Sequence, residues 1–110
     1  MPETQEIYVI LEALFPIETI EITLNAKKLL TSYAEDTSQA FDKVVLTLIV
    51  RHVSGDWYAM PEADQKTNMR AVKNGGRIAS RYTILPPDMV VWVITDAGGA
   101  LTTILLPEEY

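Results

Sequence analysis

The segment RIASRYTILPPDMVVWVITDAGGALTTILL, residues 77–106, decides the fold. Two turn signals divide it into three β-rich runs, Arg77–Leu85, Met89–Thr95 and Leu101–Leu106. Pro86-Pro87-Asp88 marks the first turn. Asp96-Ala97-Gly98-Gly99 marks the second, where glycine supplies the positive φ of a tight hairpin. Runs joined this closely pair antiparallel with their neighbours, which predicts a three-stranded antiparallel meander. In the middle run Val90, Trp92 and Ile94 are as apolar as Val91 and Val93 on the opposite face, so it belongs in the interior of the sheet.

Upstream, the periodicity changes. Ile17–Leu24 ends in clean alternation, with Ile20, Ile22 and Leu24 against Thr19, Glu21 and Thr23, and reads as a half-buried strand. Asn25 reads as an N-cap for a short helix over Ala26–Tyr33. Phe41, Val44, Val45, Leu48 and His52 then recur at helical spacing and stop at Gly55. Val44–Val50 is β-branched enough for a strand, but the periodicity lasts about three turns and favours helix. Pro61 opens a third helix, Glu62–Lys73, with acids at its start, Lys73 at its end, and Asn74-Gly75-Gly76 beyond. The expected fold class is α+β, a two-layer arrangement of strand, helices and three-stranded antiparallel meander. Residues 15–110 form its single domain. Residues 1–14 form an extension, either an edge strand or a partner-docking segment, and the apolar stretch Ile7–Phe15 offers a route to a structural homo-oligomer.

Composition narrows the function classes. A chain of 110 residues holds one core, without a second cofactor-binding subdomain. It has no cysteine, which excludes disulfides, thiolate metal sites and cysteine nucleophiles, and its single histidine excludes histidine-rich metal centres. No apolar run reaches membrane-spanning length, and no basic leader precedes the run at Ile7–Leu11. A cytoplasmic protein without cofactor or metal is the expectation. The net charge is −6, yet residues 65–82 carry five bases and no acid. Such a chain repels nucleic acid at long range, leaving residues 66–81 as the place where an anion or acidic surface is received.

The candidate residues follow from these patterns. His52 has the residue type of a general base, but also sits where a helix end welcomes a cation or an imidazole bonded to carbonyls. Asp56 and Trp57 follow the helix stop, either as turn cap and core plug or as a binding anchor. Lys66, Arg70 and Lys73 share a helix face, while Arg77 and Arg81 share a strand face with Tyr82 nearby. Asp56, Trp57, Lys66, Arg70, Lys73, Arg77 and Arg81 are therefore the candidate partner-binding residues. Neither Gly75-Gly76 nor Gly98-Gly99 has the context of a phosphate loop, and the acids Glu62, Asp64, Glu108 and Glu109 form no convergent pair.

Three stretches carry a family resemblance: Arg51-His52-Val53-Ser54-Gly55-Asp56-Trp57, Val91-Trp92-Val93-Ile94-Thr95, and Thr102-Thr103-Ile104-Leu105-Leu106-Pro107-Glu108-Glu109-Tyr110. Together they resemble a family of small bacterial proteins borne on plasmids, integrative elements and phages, whose members often bear the label "type I restriction endonuclease subunit M". The chain has neither the length of a methyltransferase domain nor an Asn-Pro-Pro-aromatic motif, so that label reflects genomic neighbourhood. The chain departs from the family pattern at Tyr58-Ala59, where relatives carry Gly-Asp, and at Asp96-Ala97-Gly98-Gly99, where they carry Glu-Ala-Asp-Arg. The resemblance implies a non-catalytic protein-interaction module of a mobile element, an inhibitor or modulator of a host defence system. A second expectation is a RelE-like ribonuclease toxin using His52, Arg77, Arg81 and Tyr82. The third is the homo-oligomer through residues 7–15.

Overall fold

The computed structural model describes residue 3 and residues 13–85 and 89–110. Its elements run β1 (Thr19–Ile22), α1 (Leu24–Asp36), α2 (Phe41–Val53), α3 (Glu62–Asn74), β2 (Ile78–Leu85), β3 (Met89–Thr95) and β4 (Leu101–Leu105), closing with a 3₁₀ turn at Pro107–Glu109. Among the described residues, three helices and a four-stranded mixed sheet make this an α+β fold. The strand order is β1-β4-β3-β2, with β1 parallel to β4 and the other neighbours antiparallel. β3 is thus an interior strand, as its two apolar faces require. The turn at Pro86-Pro87-Asp88 and the segment before Ala13 lie outside the described residues, and with them most of the stretch expected to pair between subunits. Leu14 and Phe15 are described, and they pack into their own chain beside Trp57, Met60 and Ile78.

α2 is a helix despite its β-branched composition, because one face of it is buried: Val44, Leu48, Ile49 and His52 all point inward. They meet Ala26, Leu30 and Ala34 of α1 over Val91, Val93 and Ile104 of the sheet. The first helix starts two residues earlier than its sequence suggests. Thr23, not Asn25, is the N-cap, and its Oγ1 accepts from the Ala26 amide at 3.2 Å. The same hydroxyl donates to Glu109 Oε1 at 2.7 Å, which in turn accepts from the Leu106 amide. These bonds, that of the Leu106 amide foremost, hold the Glu109 carboxyl below its usual value. Gly55 ends α2 with φ +75°, and a Cβ there would lie 2.7 Å from Leu14 Cδ1. Only glycine fits both conditions.

α3 closes the outer edge of the sheet. β2 is an edge strand, and an open edge invites pairing with other chains. Asn68, almost fully buried on α3, donates to the Ala79 carbonyl at 2.8 Å and accepts from the Ala79 amide at 3.1 Å. A side-chain amide here takes the place of a neighbouring strand. Asn68→Ala is expected to lower stability by about 2 kcal/mol, since it orphans both groups of Ala79. Urea unfolding checks this, and an unchanged midpoint would refute the bridge.

Candidate functional site

β2 and β3 each present one face to the helices and one away from them. Ser80 and Tyr82 stand opposite Val93 and Val91 on the helix-covered face, whereas Arg81 stands opposite Trp92 on the other. This alternation separates the expected site residues.

On the covered face lies a buried polar chain. His52 is fully buried, its Nδ1 2.6 Å from Ser80 Oγ and its Nε2 2.8 Å from Thr95 Oγ1. Trp57 Nε1 donates to Ser80 Oγ at 2.7 Å, and Thr95 Oγ1 lies 2.7 Å from Thr102 Oγ1. The indole can only donate, so Ser80 accepts from it and has its own proton free for Nδ1. With the ring proton on Nε2, His52 accepts from Ser80 and donates to Thr95, whose hydroxyl donates onward to Thr102; with the proton on Nδ1, the bonds run from Thr102 through Thr95 to Nε2 and from Nδ1 to Ser80. Either tautomer engages both ring nitrogens. Phe15 stands edge-on to the imidazole with ring centroids 5.0 Å apart. Burial pushes the His52 pKa down to about 4. The helix-end role expected of His52 is therefore replaced by hydroxyl partners on β2 and β3, and the ring has no exposed surface.

Tyr82 is also buried, its pKa pushed up to about 12 by desolvation. Its hydroxyl has no hydrogen-bond partner among the described residues; Ser80 is near, but its hydroxyl is engaged by Trp57 and His52. The Arg51 guanidinium sits 4.2 Å over the Tyr82 ring and pairs through Nε with Asp56 at 2.6 Å. Asp56 thus serves an ion pair beside the core instead of the turn. Trp57 is 3% exposed and belongs to the core, which leaves the neighbouring Tyr58, 87% exposed, as the aromatic that faces solvent.

The basic block is divided by α3. Lys66, Arg70 and Lys73 line one broad groove of about 570 Å³, together with Tyr58 and the half-exposed Met69. Lys66 pairs with Glu62 at 3.2 Å, a surface contact worth little. Arg77 and Arg81 line a separate groove of about 240 Å³ on the uncovered sheet face, with Trp92 and Tyr110. There Arg81 pairs with Asp64, and Arg77 sits 4.7 Å over the Tyr110 ring. The four residues expected of a ribonuclease do not converge: His52 and Tyr82 are buried under the helices, while Arg77 and Arg81 project from the opposite face. Sequence reasoning missed Tyr58, Tyr110 and Asn68.

Comparison of the chain with protein-family models, with curated proteins and with solved structures finds no match. No helix among the described residues is long and apolar enough to cross a membrane.

Proposed function

We propose that this chain is a non-catalytic protein-interaction module that receives an acidic segment of a partner in the groove between the 55–58 turn and α3. One observation supports the reading above others: Tyr58, 87% exposed, stands beside Lys66, Arg70 and Lys73 in a chain of net charge −6. Exposed aromatics beside cations are the residue types that anchor interfaces. The acidic remainder of the molecule repels an acidic partner and so directs it to this face. The resemblance to mobile-element proteins supplies a setting in which the partner belongs to a host defence or replication complex and binding inhibits or modulates it.

Tyr58→Ala is expected to weaken the complex at least tenfold and Arg70→Glu several-fold, both with the melting temperature within a few degrees of the parent. Trp57 is unsuitable for this test, because its loss would damage the core. The measurement is capture from the bacterial host by the parent and by both variants, followed by titration of the captured protein. A partner bound equally by all three, or no stoichiometric partner, would count decisively against the reading.

A further inference from the structure

The uncovered sheet face holds a second groove that the interaction reading does not use. Arg77 stands one residue before β2 and Arg81 within it, and both line this groove. Ala79 lies between them in the chain, its single methyl leaving a floor, and Met60, Asp64, Thr67 and Asn68 complete the lining. Trp92, directly across from Arg81 on β3, forms a wall with Tyr110, ring centroids 4.7 Å apart and tilted by 53°. The groove therefore has a guanidinium at each end and an indole–phenol wall between them. Asp64 orients Arg81 and neutralises it, which leaves Arg77 as the net cation. Both arginines are partly or fully exposed, so their remaining donors are open to a ligand.

Planar cations beside aromatic rings on an open sheet are the chemistry that stacks a nucleobase and pairs its phosphate. A purely anionic ligand would need no aromatic wall, and an apolar one would need no guanidinium. The volume, about 240 Å³, suits one ring system and falls below the roughly 300–1,000 Å³ of sites for larger ligands. We propose that this groove binds a nucleotide, its base against Trp92 and Tyr110 and its phosphate on Arg77. The source is either a free mononucleotide or a single strand crossing the sheet. With one net cation engaged, the interaction is weakly salt-dependent, which is how a chain of net charge −6 tolerates it.

The test is an amide-correlation NMR titration of the full chain with AMP, with hexa-adenylate and with inorganic phosphate. Both adenylates are expected to shift the Trp92 indole signal and the Ala79 and Arg81 amides, saturating at millimolar concentration or below. Hexa-adenylate binding more tightly than AMP identifies a strand as the ligand; equal affinity identifies a mononucleotide. Arg77→Gln is expected to weaken AMP about tenfold at unchanged melting temperature, and Arg77→Lys to recover only part of it, since lysine keeps the charge without the plane. No shift at those three residues, or phosphate binding as tightly as AMP, overturns the proposal. Tyr58→Ala leaves this titration unchanged, so the two grooves fail or stand separately.

Discussion

His52→Ala is expected to destabilise the protein by about 3–5 kcal/mol and to lower its melting temperature by more than roughly 10 °C. Two effects add. Removing a fully buried imidazole leaves a cavity beneath Phe15, and neighbouring strands cannot collapse into it without moving the sheet. It also removes the ring partners of Ser80 and Thr95, and each orphaned buried hydroxyl costs about 1–3 kcal/mol. His52→Leu separates the two, because it restores most of the volume while leaving the hydroxyls unpaired. Its loss is expected to be smaller than that of alanine but still above 1 kcal/mol. Urea unfolding of both variants measures this, and an alanine variant as stable as the parent would show that the chain of hydroxyls bears no load. A structural role that strong accounts for the burial of the only histidine in the sequence, away from the surface.

That role was hidden in the sequence for a physical reason. His52 bonds to Ser80 and Thr95, 28 and 43 residues away, and no local pattern encodes which hydroxyls a helix end will meet. The elements themselves were legible because their signals are local: alternation in β1, turn signals between the β-rich runs of β2 to β4, spacing of Val44, Leu48 and His52 in α2, and glycines where the backbone needs positive φ. The cap of α1 shifted from Asn25 to Thr23 because Thr23 is bound at both ends, to the helix and to Glu109, 86 residues further on. Parallel pairing of β1 with β4 likewise rests on contacts across nearly the whole chain. For the site, the sequence gathered Lys66 to Arg81 into one basic block. The helix-to-strand change after Asn74 turns its halves to opposite sides of α3, a consequence of tertiary packing that residue spacing does not carry. Trp57 and Tyr58 are adjacent, yet one is core and the other surface. Tyr58 lies in the turn closed by the Met60 amide on the Trp57 carbonyl at 2.9 Å, and only the fold says which of the two neighbours is inside.

Stability should also fall as the pH is lowered from about 6.5 towards 4, through the same residue. In the unfolded chain His52 titrates near its ordinary 6.5, and in the folded protein burial pushes it down to about 4. Between those values the unfolded state binds the extra proton and the folded state does not, so the unfolding free energy decreases with falling pH. At roughly 1.4 kcal/mol for each pH unit between the two, the loss approaches about 3 kcal/mol, a large share of a domain's usual 5–15 kcal/mol. The direction follows from burial: a second ring proton turns away the hydroxyl that had donated to the ring and leaves an uncompensated charge beside Trp57 and Phe15. Acidic residues contribute in a different window. Glu109, held below the ordinary carboxylate value of 4.5, gives up its contribution only as the pH falls below that figure. Urea midpoints at pH 7, 6, 5 and 4.5 therefore isolate the imidazole. The parent is expected to lose about 2 kcal/mol or more over that range while His52→Leu stays nearly flat, and parallel slopes in the two proteins would remove His52 as the source.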